Sequence, residues 1–171
     1  MAERAVRLIL NVSHLRLAVA LSFLTGFAVD QVTKATALAY LTQGSPIAVI
    51  PGFNLSLGFN EGASFGMLSG IMAGNPLAMA AMTGIITLGL AVLALRSRNL
   101  WEAMGFALAV GGSAGNILDR LRRGAVTDFL DVYWRDWHWP TFNMADVSIS
   151  VGAVLILISA LPAVRKSYNH A

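Results

Sequence analysis

The sequence predicts an all-α integral membrane protein with four transmembrane helices, a small extracytoplasmic β-sheet and an interfacial loop or helix. Three observations carry this expectation. Hydrophobic residues make up 56% of the 171 and charged residues only 12%, against about 25% charged in an average soluble domain. Four stretches approach the roughly 20 apolar residues that a spanning helix needs. Arginines gather near the ends of those stretches rather than over a continuous face, which is a topology signal and argues against a nucleic-acid partner.

The chain reads as a single membrane domain, 1–171. The first span, about 17–41, carries Asp30 and Lys34; the second, about 76–95, carries no charge. The third (about 100–119) and fourth (about 144–164) contain 16 uncharged residues between Glu102 and Asp119 and 18 between Asp146 and Arg165. Segments 42–75 and 120–142 are then loops on one side. Cytoplasmic flanks are enriched in Lys and Arg. Arg4, Arg7 and Arg16, then Arg96 and Arg98, then Arg165 and Lys166 mark one side, against Arg120, Arg122, Arg123 and Arg135 on the other, where Asp128, Asp131 and Asp136 dilute them. Both termini are therefore expected in the cytoplasm. The basic start and the Ala37-Leu38-Ala39 run have the form of a cleavable signal, but Asp30 and Lys34 precede it and the apolar stretch continues beyond, as in a permanent helix.

In the first outer loop, 47–50 and 53–57 are separated by Pro51-Gly52, and Phe53, Leu55 and Leu57 alternate with Asn54 and Ser56, which predicts a small sheet. The second holds Phe129, Tyr133, Trp134, Trp137, Trp139 and Phe142, the composition of an interfacial aromatic belt or a short helix lying on the bilayer, with anchoring favoured over substrate contact.

Several chemistries are set aside. Without cysteine there is no disulfide, thiol nucleophile or thiolate metal site. His14, His138 and His170 are scattered and no His-Glu-x-x-His pattern occurs, so neither metal nor cofactor is expected. The Gly-x-Ser-x-Gly patterns at 62–66 and 111–115 lack the strand-turn-helix context of a nucleophile elbow; the second lies in an apolar helix, where small residues serve close packing.

The ionisable residues of the spans share one depth. Asp30 and Lys34 fall near the outer end of helix 1, Asp119 at the outer end of helix 3 and Asp146 at the outer start of helix 4. Ionisable groups at such depths are costly and mark function by default. Asp119 and Asp146 each follow an asparagine by three residues, Asn116 and Asn143, so on a helix each pair would share a face. Asn143 could simply cap helix 4, with Asp146 favoured in its first turn. Asp119 has no such explanation, because a helix C-terminus disfavours a carboxylate. Two close carboxylates sharing a proton act as acid and base, the chemistry of an aspartic peptidase. Helix polarity favours the charged form at Asp146, making it the base unless Arg120 reverses the bias. Asp30 and Lys34, four residues apart, would neutralise one another, and Asn60, among small residues, reads as a turn.

Five ordered blocks resemble the bacterial lipoprotein signal peptidases (signal peptidase II). They are Asp30-Gln-Val-Thr-Lys34, Asn60-Glu-Gly-Ala-Ser-Phe65, the segment 111–120, Val126-Thr-Asp128-Phe129 and Phe142-Asn-Met-Ala-Asp146. The resemblance implies an aspartic endopeptidase of the bacterial inner membrane with Asp119 and Asp146 as catalytic dyad, working at the outer face. It implies that Asp30, Lys34, Asn60, Gly62, Asn116, Arg120, Asp128, Asn143 and Ala145 support the site or touch substrate. The implied substrate is a diacylglyceryl-modified prolipoprotein, cut just before the lipidated cysteine and reached from the membrane lipid; the implied inhibitor is globomycin. Ser64 and Ser113 stand where alanine is common in the family. A small transporter or channel is the competing expectation, weakened because helix 2 and the inner halves of helices 3 and 4 are almost wholly apolar.

Overall fold

The structure, a computed structural model, describes residues 2–62 and 75–161, with side chains from residue 13 onward. The fourth-span boundary at 164, Ser64 and the basic residues Arg165 and Lys166 lie outside the described residues. Four helices and one four-stranded antiparallel sheet are seen: α1 (Ala2–Tyr40), β1 (Ile47–Ile50), β2 (Phe53–Asn60), α2 (Pro76–Arg96), α3 (Leu100–Arg123), β3 (Val126–Trp134), β4 (Trp137–His138) and α4 (Met144–Ser159).

Polarity in the helical part is inverted relative to a soluble bundle. Leu17, Leu21, Leu24, Ile85, Ile86, Leu88, Leu95, Val154 and Leu157 are exposed, whereas the interior holds alanine, glycine and the charged groups Asp30, Lys34 and Asp119. Such a surface cannot remain in water, since large exposed apolar patches mark a membrane or partner contact. By length and composition, 13–40 and 76–96 are long and apolar enough to cross a membrane; Met144–Ser159 is apolar but shorter.

α3 is the central post, packed by α1, α2 and α4. Its buried face is Ala103, Gly105, Ala107, Ala109, Gly111, Gly112, Ser113, Gly115, Asn116 and Asp119. Small residues let backbones approach, the association mode expected where lipid removes the hydrophobic drive. At Gly105 and Gly152 the crossing of α3 and α4 is so tight that a Cβ on either would strike the other's carbonyl oxygen. The Gly-x-Ser-x-Gly run at 111–115 lies on this packed face, as a decoy would.

The sheet order is β1-β2-β3-β4. The expected hairpin of β1 and β2 is present, with Ile47 opposite Leu55. The second outer segment departs from expectation. It is neither interfacial loop nor helix from 126 to 138 but strands β3 and β4, and β3 pairs along β2 from Phe53 opposite Val132 to Asn60 opposite Val126. Alternation was hidden because Val126, Thr127, Asp128 and Phe129 are all buried, so both faces of the strand are covered and no polar-apolar period appears. Strands from both segments therefore form one sheet. β3 also anchors α4: Phe142 N donates to Leu130 O at 3.1 Å, and Phe142 O accepts from Phe129 N and Leu130 N at 3.0 and 2.9 Å.

Candidate active site

Asp30 and Lys34 face inward one helical turn apart on α1, with Nζ to Oδ2 at 2.9 Å. The predicted ion pair forms, fully buried, and does more than neutralise itself. Lys34 Nζ donates to Asn116 Oδ1 at 2.7 Å and stands 3.5 Å from Asp119 Oδ2. Asp30 Oδ1 accepts from Ala145 N at 2.9 Å. One pair thus ties α1 to the end of α3 and the start of α4, satisfying the partners that a buried charge demands. Gly115 makes this approach possible, because a Cβ there would overlap the Asp30 carboxylate.

Asp119 is one turn inside α3, which runs to Arg123 rather than ending near 119. Gly124, at φ +78°, closes the helix in the left-handed conformation that glycine adopts without strain, and turns the chain back into β3. Thr127 N then donates to Asp119 Oδ2 at 2.9 Å, and Arg123 Nη1 donates to Oδ1 at 3.3 Å. These bonds, with Lys34, account for a carboxylate at the unfavourable end of a helix dipole. Arg120 interacts electrostatically with Asp128, Asp146 and Asp119. Its Nε and the Thr127 hydroxyl are buried without a hydrogen-bond partner among the described residues.

Asp146 enters from α4. Asn143 is the N-cap: its Oδ1 accepts from Ala145 N and Asp146 N at 2.8 and 3.2 Å, while Asp146 Oδ2 accepts from Asn143 N at 3.1 Å. This reciprocal capping box satisfies orphan amides at the helix start. The capping role foreseen for Asn143 is real, so the two Asn-x-x-Asp segments are not equivalent: Asn116 and Asp119 share a helix, whereas Asn143 precedes one. The asparagines nevertheless meet. Asn143 Nδ2 donates to Asn116 Oδ1 at 3.2 Å and to Asp128 Oδ1 at 2.6 Å, and Asn116 Nδ2 donates to Asp146 Oδ1 at 3.2 Å. Asp146 is the aspartate that opens outward, lining a cavity of about 580 Å³ with Asn60, Trp139, Thr141, Phe142 and Val147.

Asp128, on β3, has a pKa raised from 3.8 to about 6, chiefly by burial and further by Asp146, against hydrogen bonds from Asn143 and Asn60. Asn60 Oδ1 accepts from Gly62 N at 2.8 Å, and Gly62 has φ +94°. The turn read from the sequence exists, and the same asparagine also reaches Asp128. The folded chain gathers Asp30, Lys34, Asn116, Asp119, Arg120, Asp128, Asn143, Ala145 and Asp146 into one cluster, with Asn60 and Gly62 at its edge. Arg123 and Thr127 were missed. Arg123 carried a signal, four residues after Asp119 on the same helix; Thr127 carried none, because its contribution is a backbone N–H placed by the Gly124 turn.

Residues 22–162 match the family model described as signal peptidase (SPase) II. A lipoprotein signal peptidase of Hydrogenovibrio crunogenus is 40% identical over 132 residues, covering 76% of this chain and 77% of that protein. One from Serratia marcescens is 35% identical over 140 residues, 82% of each, and one from Burkholderia mallei 41% identical over 137 residues, 80% of this chain and 82% of that one. Two solved structures, each described as a bacterial membrane enzyme determined by the in meso method, superpose with TM-scores of 0.71 and 0.73 at 30% and 31% identity. They cover 82% and 84% of this chain and 85% and 92% of theirs. Nothing in these comparisons favours a transporter or channel. The chain belongs to the signal peptidase II family and is a peptidase.

Proposed function

We propose that this peptidase releases the signal peptide of diacylglyceryl-modified prolipoproteins, cutting just before the lipidated cysteine with Asp119 and Asp146 as its dyad. The observation that carries the proposal is the bridge through Asn116. It donates to Asp146 and accepts from Lys34, which in turn flanks Asp119, so both aspartates belong to one network at the meeting of α3 and α4.

Asp146 lines the cavity and takes the proton from water as it attacks the scissile carbonyl; Asp119 is its partner in donating to the oxyanion. The proton belongs to the pair rather than to one member. Lys34 and Arg123 stand 3.5 and 3.3 Å from Asp119, and Asp146 sits in the first turn of α4. Arg120 acts electrostatically on the site through Asp119, Asp128 and Asp146. Asp30, Lys34, Asn143 and Ala145 hold the frame; Asn60, Gly62 and Asp128 form its sheet side.

Val147, Ile149 and Val151 give the cavity an apolar wall on α4, which suits acyl chains remaining in the bilayer while the peptide bond sits at the aspartates. In this reading 1–171 is one membrane domain whose four helices all span, the third and fourth short, with both termini in the cytoplasm and the dyad at the periplasmic face of the inner membrane. Globomycin would occupy the same cavity. The test is release of signal peptide by purified enzyme from matched precursors with and without the diacylglyceryl group, with and without globomycin. Cleavage restricted to the lipidated precursor and stopped by globomycin is expected; equal cleavage of the unmodified precursor would refute the substrate assignment.

A further inference from the structure

A second cavity, of about 880 Å³, lies at the opposite end of the helices from the aspartates, between α1, α2 and the turn into α3. Its origin is architectural. α1 and α2 both pack on α3 and touch each other little, leaving a crevice open toward the surrounding lipid. The walls are apolar, from Val19, Ala20 and Phe23 on α1 and Val110 on α3, whereas Arg16, Arg96 and Arg98 stand at the mouth. The three arginines come from α1, the last turn of α2 and the turn after it, and all three border the same cavity. None is ion-paired with a carboxylate among the described residues. The nearest acidic side chain of α3's first turn, Glu102, accepts instead from Ser97 Oγ at 2.6 Å and lines no part of the cavity.

We infer that this crevice is a binding site for an anionic glycerophospholipid. Its phosphodiester lies among the three guanidinium groups and an acyl chain runs along the apolar wall. The chemistry is one of complementarity: guanidinium is the side chain best matched to phosphate oxygens, basic pockets between membrane helices take anionic headgroups, and apart from Ser97, beside Arg96 and Arg98, the rest of the lining is apolar. A soluble phosphate would leave those walls empty. The occupant is therefore a lipid of the same leaflet. Bound there, it fills the gap between α1 and α2 and joins two helices that touch each other little and are held chiefly through α3. This site is independent of the dyad assignment.

Native mass spectrometry of the purified full chain, offered equal phosphatidylglycerol and phosphatidylcholine of matched acyl chains, tests the inference. Phosphatidylglycerol is expected to be retained over phosphatidylcholine, and each of Arg16→Gln, Arg96→Gln and Arg98→Gln to weaken that retention about fivefold. Ala20→Trp, which fills the wall with all arginines intact, should abolish it. Glycerol phosphate should not compete. Arg122→Gln with Arg135→Gln, at the other end, should leave it unchanged. Phosphatidylglycerol, but not phosphatidylcholine, should also raise the melting temperature of the unmodified chain, a readout that needs no variant to fold. Equal retention of the two lipids, retention surviving the triple arginine change, or loss caused equally by the Arg122 and Arg135 changes would overturn the proposal. Displacement by glycerol phosphate would reassign the site to a soluble anion and overturn it equally.

Discussion

Asn116 Nδ2 donates to Asp146 Oδ1 at 3.2 Å, a bond from the third helix to the first turn of the fourth, while the Oδ1 of the same asparagine receives Lys34 and Asn143. One amide side chain therefore uses donor and acceptor to register three helices at the site. Asn116→Ala should leave Lys34 and Asn143 each one acceptor short, with Asp30 and Asp128 as their remaining partners, costing about 1–3 kcal/mol of stability, and should lower kcat about 10²-fold through misplacement of Asp146. Peptide release measured beside a thermal melt checks both. A variant with normal turnover would show that Asp146 is held by its cap alone.

Lys34 is buried against Asp30 at 2.9 Å. Lys34→Met removes the cation and leaves a buried carboxylate, a change worth about 3–5 kcal/mol. Adding Asp30→Asn should restore a large part of that stability without restoring activity, because Lys34 also serves Asn116 and Asp119. A double-mutant cycle read by melting temperature and turnover separates the two roles; additive losses in stability would contradict the pairing.

Gly115 is required by space. In Gly115→Ala the new methyl meets the Asp30 carboxylate, and overpacking of this kind costs about 1–3 kcal/mol. Activity should fall with it, since Asp30 holds Ala145 N at the base of α4. Gly89, where a Cβ meets nothing within 4 Å, is the control: Gly89→Ala should leave turnover unchanged and should not lower the melting temperature, since alanine is favoured over glycine inside a helix by about 0.5–1 kcal/mol.

Asp128 has a folded pKa of about 6 against an ordinary 3.8. Between those values the folded chain binds more protons than the unfolded one, so this group's contribution to stability falls as pH rises from 3.8 to about 6 and then levels off. Asp128→Asn cannot titrate. Its melting temperature should therefore lose ground to that of the unmodified chain as pH falls through this window. Parallel melting curves across the window would contradict the raised pKa.

The helical frame was legible because lipid-facing helices need only length, apolarity and basic flanks, and each expected span has a helix over most of its length. Residues 2–16 extend α1 and 120–123 extend α3 beyond the expected spans, since polar residues continue a helix that hydropathy can no longer see. The β1–β2 hairpin was legible through alternation around Pro51-Gly52. β3 was not, because Val126 to Phe129 are buried at consecutive positions, so its first half shows no period of two. The same blindness concealed Thr127, whose N–H reaches Asp119 only because Gly124 reverses the chain. Asp30 and Lys34 were visible as a pair, yet their reach to Ala145 and Asn116 is a tertiary fact that spacing on one helix cannot contain. Asp119 and Asp146 were legible as candidates from the two Asn-x-x-Asp segments; the fold places Asp119 one turn inside α3 and Asp146 in the first turn of α4, linked through Asn116 and Lys34.

The most direct measurement is signal-peptide release from a diacylglyceryl-modified precursor by the purified enzyme carrying Asp119→Asn or Asp146→Asn separately, with folding verified by thermal melt. Each change alone is expected to reduce kcat by at least about 10³-fold, because members of a catalytic unit fail together rather than additively. Full activity in either folded variant would remove the dyad.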